Sequence, residues 1–513
     1  MRGQCFIGQD IDADVSAECD VCIVGSGAGG SVLAAKLVES GLKVIMVEEG
    51  GYFTRETFSQ NEGDAYFNLY QDRGTRASAD VAITILQGRS AGGGTTVNWT
   101  SCFRTPDRIL RHWESRFGVE GLTSETLAPH FAAVEERLGI QTWPLERANA
   151  NNRILVEGCR ALGWEVSPMR RNVRGCADTG SCGMGCPAGA KQSMHRTYLQ
   201  DALDLGLTLY CDVRADRFLW EGRRVTRLRC SVLERESGRP TGRSLEVKAR
   251  VFVSSCGAIN GPGLLLRSGL SGRGRVGRRT MIHPVVALPA VFEHEVSSFY
   301  GAPQSVGSHQ FVDRGPDRVG YFMESAPIHP VLGSLAFSQF GRAQGAFMAK
   351  LPNTGVVLAL GVDGLLPEEE GGRVSLREDG RTRFDYPVGP PLQEMFREAH
   401  KAVARLEFAA GAKEVLPLHV DPLVLRSVDD VPLLDTREYG ALKHGIFSAH
   451  QMGGCAMGVD LEESVVDSTL RYHGLDNLFV VDGSVFPTAL GVNPSESIYG
   501  LAHWGYPFVA ARV

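Results

Sequence analysis

Apolar residues follow two different periods along this chain, and the first change of period marks its first folding unit. Asp20 to Val24 is a short run of strand formers. Val32, Leu33, Ala34, Leu37 and Val38 then recur at helical spacing as far as Gly41, and Lys43 to Val47 is strand-like again. The pattern predicts strand, helix, strand. Leu478 to Val481 predicts a further strand, ending in Asp482-Gly483. Residues 372–384 alternate around Asp379-Gly380 and predict a hairpin. In 391–411, Met395, Phe396, Ala399, Val403, Leu406 and Phe408 share one helical face that stops at Gly411, which predicts an amphipathic packing helix. Residues 297–340 are crowded with aromatic and aliphatic side chains, with Glu324 standing alone among them. No repeat or low-complexity tract interrupts the pattern, and no apolar run reaches the ~18 residues of a membrane-crossing helix.

The turn inside the first unit carries chemistry. Gly25-Ser-Gly27-Ala-Gly-Gly30 fits G-x-G-x-x-G between a strand and a helix, and Glu48 follows the second strand, 23 residues after Gly25. The first glycine makes the tight turn, the second admits a pyrophosphate and the third lets helix and strand pack closely. The phosphate charge meets the helix N-terminus, and a carboxylate at the second strand end accepts from ribose hydroxyls. Cys19 and Cys22 form C-x-x-C, but on a strand they face opposite sides, so core packing is the better reading.

Composition narrows the class. The chain has 513 residues, 43% hydrophobic and 22% charged, which is globular and large enough for two domains. Glycine supplies 61 residues, well above the usual ~7%, as expected where backbone wraps a large ligand. The net charge of −6, without a basic cluster interleaved with aromatics, argues against nucleic acid. The acidic start, MRGQCFIGQDIDADVSAECD, lacks the apolar core of a signal peptide, so the expectation is a cytoplasmic protein, with export alongside a signal-bearing partner left open.

Three further blocks complete a pattern: GRSAGGGTTVNWTSCFRTP at 88–106, VFVSSCGAINGPGLLLRSG at 251–269, and the C-terminal segment from HQMGGCAMG to GVNPSES. With the first unit and its VEEGG, these blocks resemble, in order, the glucose–methanol–choline (GMC) oxidoreductases, FAD enzymes acting mainly on alcohols, and in particular the cholesterol-oxidase-like and long-chain-alcohol-oxidase-like branch. The resemblance implies an α/β fold. A Rossmann-type FAD-binding domain would collect 18–106, 190–286 and 445–513. An interleaved substrate-binding domain, 107–189 and 287–444, would lie over a mainly antiparallel sheet. It implies that Gly25, Gly27, Gly30 and Glu48 hold the ADP half of FAD, and that Gly93, Gly94 and Asn98 line the isoalloxazine and pyrophosphate. Asp482 and Gly483 would meet the ribityl region, and Asn493 and Pro494 the pyrimidine edge. His450 aligns with the family's catalytic histidine, with Asn493 at the second catalytic position.

Alcohol oxidation removes a hydroxyl proton and a carbinol hydride. A histidine suits the proton, its ordinary pKa of about 6.5 lying near working pH. An asparagine cannot take a proton but can hold a developing alkoxide. The expectation is His450 as base or alkoxide-stabilising partner and Asn493 as orienter, with His283, His473 and His503 structural. Residues 88–99 contain no histidine for a covalent flavin link. The apolar stretch 297–340 matches the region that roofs the family's substrate pocket and favours a hydrophobic alcohol (long-chain, aryl or sterol-like), although it reads equally as a buried sheet face. Glu324 is a candidate second carboxylate, with a surface or salt-bridged role preferred. Electrons would pass to oxygen, a quinone or a redox partner protein.

Cys176, Cys182 and Cys186 are spaced C-x5-C-x3-C and followed by Pro187. Ferredoxin-type clusters use close spacings ending in C-x3-C-P, and the spacing also resembles that of family sugar dehydrogenases carrying a three-iron cluster. A [3Fe–4S] cluster, free loop thiols, a disulfide, and zinc with His195 all remain open. The cluster would make the protein a sugar or polyol dehydrogenase relaying electrons to a partner. A third reading is redox-neutral or light-driven flavin chemistry, which also occurs in the family.

Overall fold

A computed structural model of the chain describes residues 3–337 and 339–513. It is built on two eight-stranded sheets. The first runs in the order Gln4–Phe6, Thr208–Tyr210, Val44–Val47, Val15–Val24, Pro240–Ser254, Arg224–Leu233 and Val213–Glu221, with Leu478–Val480 also pairing Pro240–Ser254. Its first five strands and Leu478–Val480 are parallel, and the last two are antiparallel additions. Val21 to Val24 and Val44 to Val47 are wholly buried, as strands covered on both faces must be. The first strand begins at Val15, five residues before the predicted start, because its exposed half pairs in register with Leu245 to Ala249. Cys19 and Cys22 are both buried in the core. The helix Ala28–Glu39 follows the glycine turn and packs against Tyr198–Asp204 and the C-terminal helix Ser495–Ala510.

The second sheet runs Ile83–Ile85, Ile446–Ser448, Val285–Val291, Thr354–Val362, Gly320–Ser325, Val306–Ser308 and Ser167–Pro168, with Glu414–Val415 beside Val285–Val291. Its pairs are antiparallel except Ile83–Ile85 with Ile446–Ser448, so the sheet is mixed rather than purely antiparallel. The helix Pro390–Ala409 covers one face, burying Met395, Phe396, Ala399, Val403 and Leu406 as its periodicity predicts. The opposite face turns towards the first sheet.

Sheet membership cuts across linear segments. Ile83–Ile85 and Ile446–Ser448 fall within 18–106 and 445–513 yet join the second sheet, and Val285–Val291 straddles the 286/287 boundary. The hairpin strands Arg373–Leu376 and Thr382–Asp385, within 287–444, pack on the helix Gly257–Arg267 of the nucleotide side. The stretch 297–340 also divides. Gly320–Ser325 is a fully buried strand, whereas Leu335 and Phe340 are 73% and 92% exposed. Among the described residues, no helix is long and apolar enough to cross a membrane.

Candidate active site

A cavity of about 1020 Å³ lies between the two sheets. Its wall includes Gly25, Gly27, Glu48, Gly93, Gly94, Asn98, His450, Asp482, Gly483, Asn493 and Pro494, so residues from opposite ends of the chain converge on one space. Gly30 does not reach it. A side chain there would press against the carbonyl of Gly25 at 2.0 Å, so this glycine serves helix–strand packing. Gly25 makes the turn at φ +98°.

The wall fits a dinucleotide. A methyl group on Gly94 would meet nothing within 4 Å and one on Gly27 would meet only Gly93, at 3.9 Å, so the backbone at both positions faces open cavity. Gly27 begins the helix Ala28–Glu39 without a side-chain cap, which leaves the first-turn amides for an anion. Glu48 is buried and held by the Ser26 amide and hydroxyl at 3.0 and 2.7 Å and by the Gly50 amide at 2.8 Å. Burial pushes its carboxyl up, and those hydrogen bonds oppose the shift. One lone pair of its Oε1 is left for a ribose hydroxyl. Asp482 accepts from the amides of Gly257 and Ser484, both at 2.8 Å, tying the two strand ends together beneath the cavity.

At the other end, sheet register assembles a second set. Val285, Leu358, Leu360 and Phe447 line the cavity. Glu324 is directly opposite Leu358 across the ladder and therefore projects from the same face. It is fully buried, and among the described residues no cation pairs with it, contrary to the surface or salt-bridged role preferred from sequence. Its Oε2 accepts from Gln304 Nε2 at 2.5 Å and from Asn493 Nδ2 at 3.4 Å, while Oε1 has no described partner. Burial pushes this carboxyl up to about 8. Gln304 in turn accepts from the Ser101 hydroxyl at 3.0 Å.

Asn493 Nδ2 also stands 3.3 Å from His450 Nε2. Burial holds His450 down at about 4, so it is neutral at pH 7. Its other nitrogen, Nδ1, is 3.1 Å from Nδ1 of His283. The sequence shows His283 only as a histidine before Pro284 and gives it a structural role; the structure brings it against His450. His473 and His503 do stand apart from the cavity, the first on Ser464 and the second on His130.

Of the readings open for the cysteine loop, the structure carries free thiols. Among the described residues no group of three or more His, Cys, Asp or Glu side chains could hold a metal ion, and all twelve cysteines are free. Cys176, Cys182 and Cys186 therefore do not fit a [3Fe–4S] cluster, nor zinc with His195, nor a disulfide. Each instead has its own protein neighbour. Cys176 packs against the small cluster of Trp143, Val173 and Ala302, Cys182 Sγ lies 3.9 Å from Arg171 Nη2, and Cys186 Sγ accepts from the Lys191 amide at 3.5 Å. The loop's structural role rests on Lys191. Its buried ammonium donates to the carbonyls of Thr96, Asn98 and Cys182 and so staples the cysteine loop to the glycine-rich loop at the cavity. Desolvation lowers this ammonium to about 8.

Comparison with known proteins identifies the family. The GMC oxidoreductase N- and C-terminal family models match residues 66–285 and 367–502. An uncharacterised GMC-type oxidoreductase of Mycobacterium tuberculosis is 32% identical over 493 residues, spanning 96% of this chain and 76% of the relative. The chain belongs to the GMC oxidoreductase family. A long-chain-alcohol oxidase of Arabidopsis thaliana, another relative, is 30% identical over 519 residues, covering 96% of this chain and 68% of its own. The solved structure of a pyridoxine 4-oxidase from Mesorbium loti superposes with a TM-score of 0.69 at 20% identity, over 96% of this chain and 99% of that one, and shows the shared fold. As a GMC oxidoreductase, the protein is an FAD-dependent enzyme acting on CH–OH donors.

Proposed function

We propose that this enzyme oxidises a hydrophobic primary or secondary alcohol to the aldehyde or ketone. The observation that carries the reading is a polar pair, His450 Nε2 and Asn493 Nδ2, 3.3 Å apart, at the end of the cavity whose neighbouring wall is Val285, Leu358, Leu360 and Phe447. A sugar needs a dense hydrogen-bonding lining, whereas an aliphatic wall favours an alkyl chain. The Arabidopsis relatives, named as long-chain-alcohol oxidases, support the same class.

Bound FAD supplies the two-electron acceptor for the carbinol hydride. His450 and Asn493 hold the alcohol oxygen and orient its C–H bond. The hydroxyl proton passes to Glu324, whose Oε1 has no partner and whose raised pKa makes it a stronger base than an ordinary carboxylate. Gly25, Gly27, Glu48, Gly93, Gly94, Asn98, Asp482 and Pro494 hold the cofactor. Oxygen is the acceptor to test first, since the relatives named above for an activity are oxidases.

The test is anaerobic bleaching of the flavin by decanol, hexadecanol, benzyl alcohol, cholesterol and glucose. Bleaching by at least one hydrophobic alcohol, with none by glucose, is the expected result. Glucose as the best reductant, or no bleaching by any alcohol, would remove the reading.

A further inference from the structure

We propose that Lys191 and Arg171 are an electrostatic backing for FAD: two buried cations behind the cavity wall, balanced by the negative charge that the flavin gains on accepting electrons, which together strengthen it as an electron acceptor. The role requires a redox flavin in this cavity but no particular alcohol.

Two buried charges here lack counter-charges. Arg171 and Lys191 are 0% and 1% exposed. A charge taken out of water is ordinarily matched by an opposite one, yet the hydrogen-bond partners of both side chains are carbonyls and a thiol. Lys191 Nζ donates to the carbonyls of Thr96, Asn98 and Cys182 at 2.5, 3.1 and 2.7 Å. Arg171 Nη2 reaches the Trp99 carbonyl at 3.4 Å and Cys182 Sγ at 3.9 Å, while its Nε and Nη1 have no partner among the described residues. Its guanidinium lies over the Trp143 ring, 4.8 Å from the centroid, a contact that offsets part of the desolvation. The ionisable groups that bear on Lys191 are Arg171 and the Cys182 and Cys186 thiols. Burial lowers its ammonium to about 8, which leaves it a cation at pH 7.

The fold aims both charges at one stretch of wall. Side chains alternate along the strand Arg170–Asn172. Arg170 turns to Glu135 and Glu496, at 2.8 and 3.4 Å, and Arg171 therefore turns to the opposite face. There it joins Lys191 on the carbonyls of residues 96, 98 and 99, and Asn98 and Trp99 line the cavity. This stretch runs from the phosphate turn to the reacting end. A methyl group on Gly27 would meet Gly93 at 3.9 Å, and Ser101, two residues beyond Trp99, bonds Gln304 beside Glu324. The cations stand behind its later half. The pyrophosphate keeps the same charge in both oxidation states and belongs to the Gly27 end. The charge that changes with electron transfer lies at the end that Lys191 and Arg171 face. Fixed charges act strongly through a low-dielectric interior, and charge beside a flavin sets its electron affinity. The cysteine loop, which holds no metal, thereby serves as the mount of Lys191 through the Cys182 carbonyl.

The test titrates sulfite into FAD-loaded protein at pH 7 and measures the two-electron midpoint potential against reference dyes. The sulfite sulfur forms one bond to the oxidised flavin ring with its lone pair, and the displaced electron pair stays on the ring as negative charge, with no proton or leaving group released. Lys191→Gln keeps N–H donors for the carbonyls and removes the charge, and Arg171→Gln does the same at an independent position. Each flavin-bearing variant is expected to raise the sulfite Kd about tenfold or more, with a matching fall in potential of about 30 mV per tenfold. Unchanged sulfite Kd and potential in these variants would overturn the proposal and leave Lys191 a structural staple. Reduced flavin content, with parental sulfite Kd and potential in the fraction that keeps flavin, would overturn it equally. Cys182→Ser should change neither readout; a sulfite Kd about tenfold tighter would make a charged Cys182 sulfur the counter-charge and overturn the assignment to flavin. Neither measurement uses an alcohol, so failure of the alcohol-oxidation reading leaves the result standing.

Discussion

Two groups of buried histidines in this protein invite comparison. His283 and His450 meet at the cavity. His400, His419 and His444 pack together in the second domain's core, ring centroids 5.2–5.5 Å apart, with the Tyr439 ring against all three. Burial makes both groups neutral. His450 is held at about 4, His419 at about 4 and His444 at about 3. The difference lies in polarity. In the first group every ring nitrogen faces a named polar atom, and the contacts run from Gly491 through both rings to Asn493 at the cavity wall. In the second, both nitrogens of His419 and Nε2 of His444 have no hydrogen-bond partner among the described residues. A depressed pKa therefore marks desolvation alone; directed hydrogen bonding beside a cavity is what distinguishes a site.

Breaking the cavity pair should have the largest effect. His450→Ala is expected to lower kcat by about 10²- to 10⁴-fold, the range lost with a proton-handling or oxyanion-holding group, while the flavin spectrum stays that of the bound cofactor. Wild-type turnover in that variant would remove His450 from the mechanism. Glu324→Gln should follow, with kcat reduced about 10²-fold or more. In the parent enzyme kcat/KM should rise with pH through about 8, because the carboxyl must lose its proton to act as base. A profile flat from pH 6 to 9 would exclude Glu324 as that base.

The core trio sharpens the contrast through stability. Each histidine has a folded-state pKa below the ordinary value near 6.5, so the unfolded chain binds more protons than the folded one in that window. Stability contributed by the neutral rings is complete above about pH 6.5 and is lost as the pH falls towards about 4. The loss is about 1.4 kcal/mol per pH unit for each proton taken up on unfolding, read as a falling Tm between pH 6.5 and 5. Buried carboxyls such as Glu324 and Glu369 act in the opposite sense over the same window, so the decisive reading is the difference between the parent and His419→Phe; equal acid slopes in the two would contradict the neutral trio. The smallest effect should come from His419→Phe, which keeps a ring and removes two unpartnered nitrogens. It should leave kcat unchanged and shift stability by no more than about 1 kcal/mol in either direction at pH 7, while flattening the acid slope.

Much of the nucleotide half was legible in sequence because its chemistry is local. Gly25, Gly27, Gly30 and Glu48 are fixed within one strand–helix–strand unit, where spacing dictates position. His450 and Asn493 were legible through the family motif. His283 was not, and Glu324 stood out only as a candidate carboxylate, because nothing near either residue in sequence reveals its partner. Glu324 owes its place to ladder register with Leu358, and His283 to a contact with residues 167 and 208 positions away. The cysteine spacing misled for a related reason. Three thiols can be close in sequence and still lie beside buried cations, Arg171 and Lys191, without forming a ligand set.

The sequence by itself determined the period of the main elements, the glycine turn that can accept a dinucleotide, and the class of residues available for chemistry. Tertiary contacts settled which strands share a sheet, which of thirteen histidines meet, and which polar atom faces each ring nitrogen. The reason is physical: backbone periodicity is set by neighbours a few residues away, whereas the direction of a hydrogen bond depends on what faces it across the fold.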